Sequence, residues 1–119
     1  MIKIYGLKNC DTCRKAMKWM ENEKIEYLFH DVRKDKLSSD TIINWIENVG
    51  TEQLPNRRST TWRNLSENEK DLLVSGGEVD LLIKYPALIK RPVFVLENDI
   101  LVGFKEDTQN ILKNFRTAV

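Results

Sequence analysis

Apolar positions along this chain change their period, and each change marks an element. Ile2 and Ile4 alternate with polar neighbours, the period of a strand, and Gly6 closes it. From Cys13 the apolar residues Cys13, Ala16, Met17 and Met20 recur at i, i+3, i+4 and i+7, which is one face of a helix. In "IEYLFHDV", Ile25, Tyr27 and Phe29 alternate again, predicting a second strand. Ile42, Trp45, Ile46 and Val49 form another helical stripe, closed by Gly50. The opening order is therefore β-α-β-α, which predicts a parallel pair of strands.

The middle is less regular. "TEQLPNRRSTTWRNL" carries a proline and three arginines and reads as an irregular connection. Ser66 with Glu69 is a capping-box pattern for a helix running through Leu72 and Leu73, broken at Gly76-Gly77. Val79, Leu82 and Ile83 predict a further helix ending near Pro86. Two β-rich runs in "RPVFVLENDILVGF" flank the polar turn Glu97-Asn98-Asp99 and read as a hairpin. Ile111, Leu112 and Phe115 mark a last helix. Helices between a β-α-β half and a β-β-α half suggest an α/β chain of thioredoxin-like fold with a mixed sheet. The expected organisation is one domain over residues 1–119, with a helical insertion at about 38–86.

Composition narrows the function classes. Nineteen basic and eighteen acidic residues leave a net charge of +1, so no global charge draws the chain to nucleic acid or to an acidic membrane. No apolar run approaches the roughly 20 residues of a membrane span. "MIKIYGLKNC" lacks the apolar middle of a signal peptide, and the expected address is the cytosol. There, two cysteines three apart suggest redox or metal chemistry before a structural disulfide.

Cys10 falls where the first strand ends and the first helix begins. Orphan backbone N–H groups and the positive end of the helix dipole lower a thiol's pKa at such a place. Lys8, Arg14 and Lys15 add cations nearby, while Asp11 opposes them. Cys10 is thus the candidate attacking thiol and Cys13 the candidate resolving thiol, although Cys13, on the apolar stripe, suits packing equally well. A structural zinc needs about four ligands. Beyond the two thiols only His30 offers an imidazole, so no metal is expected, and His30 is expected at a strand end without a chemical role. A thiolate acting on an oxyanion or a charged disulfide needs a cation. The planar fork of arginine suits this, making Arg57, Arg58, Arg63 and Arg91 candidates. Arg91 stands out because Pro92 follows it at a strand's first position, where a cis peptide would turn the backbone toward the first helix. Trp19, Trp45 and Trp62 read as packing residues.

Three ordered segments, "IYGLKNCDTCRKA", "RSTTWRNL" and "PALIKRP", with "VGFKEDT" after them, resemble the arsenate reductase-like family of ArsC, Spx and YffB proteins, most nearly its YffB-like branch. The resemblance covers nearly the whole chain. It implies a thioredoxin-like fold with a helical insert, a redox or catalytic cysteine at Cys10, and anion-binding arginines at Arg58 and Arg91. The arsenate reductases of the family imply glutathione or glutaredoxin as electron donor, with a small oxyanion or a disulfide as substrate. No Gly-rich dinucleotide- or phosphate-binding loop appears in the chain, so no bound cofactor is expected, and a monomer is expected. The chain departs from the arsenate reductases at their third arginine, where Lys105 stands as a point charge, and in carrying Cys13. The CxxC is shared with Spx-like regulators, so a redox switch binding the RNA polymerase α-subunit is the alternative.

Overall fold

The computed structural model describes every residue except Asn98 and Val119, with the side chains of residues 116–118 also left aside. The chain groups into two units, Met1–Asp31 with Arg91–Val119, and Val32–Lys90.

The first unit holds a four-stranded sheet in the order β2-β1-β3-β4, built from β1 (Ile2–Gly6), β2 (Tyr27–Asp31), β3 (Val93–Val95) and β4 (Ile100–Val102). Strand β1 pairs parallel with β2, Ile4 opposite Phe29, and antiparallel with β3, Ile4 opposite Phe94. Strand β4 completes an antiparallel hairpin with β3. The parallel pair needs a crossover, supplied by α1 (Asp11–Asn22). Lys24, in the left-handed region at φ 57°, ends the descent of α1, and the Ile25 amide returns to the Met20 carbonyl at 2.9 Å. Ile2 and Ile4 share one face of β1 and meet Ala16 and Met20 of α1, Phe94 of β3 and Leu112 of α6 (Glu106–Ala118) in one buried cluster. Burying each such large apolar side chain contributes about 1.5–3 kcal/mol relative to exposure. Trp19 lies half-buried beside it, its ring edge-on to Phe104 at 5.6 Å. The chain is therefore α/β with a mixed sheet, the thioredoxin-like arrangement that the element order predicts. Within the hairpin turn, Asn98 lies outside the described residues, and the Leu96 amide bonds the Asp99 carbonyl at 2.9 Å.

The second unit is helical: α2 (Ser39–Val49), α3 (Thr60–Arg63), α4 (Glu67–Asp71), α5 (Glu78–Lys84) and a 3-10 turn at Pro86–Leu88. Trp45 of α2 is 1% exposed, among the largest fully buried side chains of the chain. A bridge pairs Pro55 with Ile89, and the Lys90 amide bonds the Leu54 carbonyl at 2.7 Å. Two expectations are corrected in this unit. The stretch read as irregular contains α3, whose first turn is held by Ser59 accepting the Trp62 amide at 3.1 Å; a helix of one turn has no apolar period to betray it. The helix at Ser66 has its capping box, but Leu72 is its C-cap and Leu73 lies beyond its end. The helix expected from Val79, Leu82 and Ile83 is α5, which buries Leu81 and Leu82 and leaves Ile83 37% exposed.

Among the described residues, no helix is long and apolar enough to cross a membrane, and no cluster of metal-ligating side chains forms.

Candidate functional site

Cys10 is the N-cap of α1, with extended backbone at φ −96°, ψ 123°. Its own amide bonds the Leu7 carbonyl at 3.2 Å, and its carbonyl accepts the first helical bond, from the Arg14 amide at 3.0 Å. The Arg14 guanidinium returns to the Lys8 carbonyl at 3.2 Å, tying the helix's first turn to the loop that carries the thiol. The sulfur thus stands where an N-cap side chain accepts a bond from the third helical amide, and that residue is Cys13.

Half-burial of Cys10 pushes its thiol up. The Cys13 amide, the Cys13 thiol and the Arg91 guanidinium all stabilise the anion and outweigh burial, so the Cys10 pKa lies below the ordinary thiol value. Cys13 goes the other way. Burial, together with the hydrogen bond to Cys10 and the charge there, pushes it up to about 12, against the opposing pull of the Leu7 amide and of Arg91. The two thiols are therefore driven apart: Cys10 is the more acidic of the pair, and Cys13 keeps its proton at neutral pH and donates it toward Cys10. Both are free thiols in this structure.

The backbone opposite is shaped to this pair. A Cβ on Gly6 would stand 2.5 Å from the Cys13 Sγ and 3.5 Å from the Phe29 ring, so only a glycine lets the last residue of β1 pass the buried thiol. Arg91 is carried to Cys10 by the segment entering β3. The Arg91–Pro92 peptide is cis, Pro92 is buried, and its carbonyl accepts the Gly103 amide at 2.8 Å.

Of the residues singled out in the sequence, Cys10, Cys13, Arg91 and Pro92 come together in the first unit. Lys105 is exposed at the entry to α6, where its carbonyl accepts the Gln109 amide at 3.0 Å; the cation acting on Cys10 is Arg91. Arg58 lies in the second unit, exposed, its amide bonded to Asn56 Oδ1 at 3.0 Å just ahead of the α3 cap. Its neighbour Arg57 sits 5.7 Å above the half-buried Trp62 ring, with Lys70 Nζ at 5.4 Å. His30 is in β2, stacked on Tyr5 with centroids 4.8 Å apart. Sequence reading did not find the parts of Gly6 and the Leu7 amide. The spacing of a glycine from a cysteine seven residues on carries no signal until strand and helix are docked.

Residues 5–112 match the model of the ArsC family. An uncharacterized protein of Haemophilus influenzae is 42% identical over 106 residues, spanning 89% of this chain and 93% of its own length. The global transcriptional regulator Spx of Streptococcus pyogenes serotype M6 is 31% identical over 110 residues, 90% of this chain and 81% of that protein. Among solved structures, a YFFB protein matches with a TM-score of 0.88 at 35% identity, covering 94% of this chain and 98% of its own.

Proposed function

The chain belongs to the ArsC family, and from that premise we propose that it is a thiol-dependent reductase in which the Cys10 thiolate is the nucleophile. The observation that carries this reading is the convergence of the Cys13 amide, the Cys13 thiol and the Arg91 guanidinium on one half-buried sulfur. In the proposed mechanism Cys10 attacks one sulfur of a disulfide, forming a mixed disulfide and expelling the other sulfur as a thiolate. Neutralising Cys10 removes the charge and the hydrogen bond that raise Cys13, so the resolving thiol becomes more acidic when it is needed. Cys13 then gives up its proton and attacks the Cys10 sulfur, releasing the second thiolate and closing a Cys10–Cys13 disulfide. Two glutathione thiols, or a glutaredoxin dithiol, reduce that bond and are oxidised to a disulfide in turn.

With arsenate, the Cys10 sulfur displaces an arsenic-bound oxygen as water. A second thiol forms a disulfide with Cys10 while the electron pair of the S–As bond stays on arsenic, giving arsenite. Arg91 holds the substrate's negative charge through its two-pronged donor, with Lys105 of the same unit as a weaker point charge. Pro92 fixes the backbone that carries Arg91.

Steady-state turnover with arsenate and with a glutathione mixed disulfide, in the presence of glutathione, glutaredoxin and an NADPH-linked reductase, tests this reading. Wild type is expected to turn over at least one of the two and Cys10→Ser neither. Equal, background rates for the two proteins on both substrates would sink the reductase.

A second reading rests on the identity with Spx over 90% of this chain. In it, closure of the Cys10–Cys13 disulfide switches binding to the RNA polymerase α-subunit. Capture of that subunit by the oxidised or the reduced protein alone would support it, and indifference to reductant would remove it.

A further inference from the structure

The Cys10 sulfur meets the groups that favour its anion only while the turn carrying it keeps its shape. That turn is Leu7-Lys8-Asn9-Cys10, closed by the Cys10 amide on the Leu7 carbonyl at 3.2 Å. Gly6 and Leu7 ahead of it are buried, and so is Cys13 after it, but the central residues Lys8 and Asn9 are exposed. Packing therefore fixes both flanks of the turn and leaves its middle to hydrogen bonds.

Arg14 supplies them. Its Nε donates to the Lys8 carbonyl at 3.2 Å, and its amide donates to the Cys10 carbonyl at 3.0 Å. One residue of α1 thus grips the turn on either side of Asn9. The charge of Arg14 is spent on a backbone carbonyl, whereas the groups that stabilise the Cys10 anion are the amide and thiol of Cys13 and the Arg91 guanidinium. The other charged side chains of this stretch, Lys8, Asp11 and Lys15, are exposed.

Resting on the reading of Cys10 as nucleophile, we propose that Arg14 is a positioning residue, whose Nε holds the Lys8 carbonyl and so keeps the Cys10 sulfur beside the Cys13 amide and Arg91. What matters is then the place of one donor atom, and side-chain chemistry separates this from charge. Glutamine carries its amide nitrogen on Cδ, where arginine carries Nε, so Arg14→Gln keeps the donor and loses the charge. Arg14→Lys keeps the charge and moves the nitrogen one carbon outward. Arg14→Leu loses both. The measurement is the rate of iodoacetamide labelling at Cys10 against pH in the full-length protein, read by mass spectrometry, with circular dichroism to check that the variants fold. At neutral pH Arg14→Leu and Arg14→Lys are expected to label about two- to tenfold more slowly than wild type, the loss of one ordinary hydrogen bond. Their transitions should lie at higher pH and their rates should rejoin wild type in alkali, where the thiol is ionised in every variant. Arg14→Gln should follow wild type throughout, and kcat should fall in the same order with little change in KM. Arg14→Gln as slow as Arg14→Leu, Arg14→Lys or Arg14→Leu at the wild-type rate, or a deficit that persists in alkali overturns the proposal. A wild type that turns over neither arsenate nor a glutathione mixed disulfide sinks the reductase reading alone, and the labelling still decides the part of Arg14.

Discussion

Helix α1 and helices α2, α3 and α4 begin with the same backbone geometry and end up doing different things. Ser38, Ser59 and Ser66 sit in extended conformation at φ −80°, −77° and −68°, and each accepts the amide of the third helical residue. Cys10, also extended, makes no such capping hydrogen bond, but the corresponding amide of Cys13 lies near enough to favour its anion. A hydroxyl there remains neutral, and the helix terminus spends its orphan donors on stability. A thiol there can ionise, and the same donors and the same dipole lower its pKa below the ordinary thiol value. One element of secondary structure thus serves as a fastening in the helical unit and as a reactive group beside the sheet, and the difference is one atom type.

That contrast can be broken most severely by exchanging the atom. Cys10→Ser turns α1 into a serine-capped helix. Turnover should fall to background in the coupled reductase assay, while thermal melting should show stability unchanged or raised by up to about 1 kcal/mol. A large drop in stability would mean that the sulfur is packing rather than poised. Next in size, Arg91→Leu removes the cation facing the sulfur. A hydrogen bond to a charged group is worth about 1.5–3 kcal/mol, so turnover of an anionic substrate should fall by about ten- to a hundredfold. Iodoacetamide labelling against pH should show the Cys10 transition moving to higher pH, because the anion has lost a stabilising partner.

Gly6→Ala should come third. The new methyl meets the Cys13 sulfur, and overpacking of this kind costs about 1–3 kcal/mol, measurable as a lower denaturation midpoint. Smallest is Ser66→Ala, which opens the capping box of α4 at about 1 kcal/mol and should leave the labelling profile of Cys10 untouched. A change in that profile would show that the helical unit's caps are coupled to the thiol.

The sheet and its crossover were legible in the sequence because Ile2, Ile4 and the stripe from Cys13 to Met20 each serve one buried face, and a buried face imposes a period. Of the short helices, α4 and α5 were legible from the Ser66 capping box and from Val79, Leu82 and Ile83, whereas α3 was not. Α3 rests on Ser59 and four helical residues, and its S-x-x-W cap is a local signal that an apolar-period reading passes over. In the site, Cys10 and Arg91 could be singled out from chemistry and motif. Their pairing could not be derived from spacing, because eighty-one positions separate them (91 − 10) and only β3 lying beside β1 closes the gap.

The fit between Gly6 and the Cys13 sulfur has one more consequence. On the side facing Gly6 the Cys13 sulfur leaves no room for one added carbon, and Cys13 is fully buried. Adding oxygen atoms or an alkyl group to Cys13 would require the strand to give way. An alkylating or over-oxidising reagent is therefore expected to reach half-exposed Cys10 well before buried Cys13.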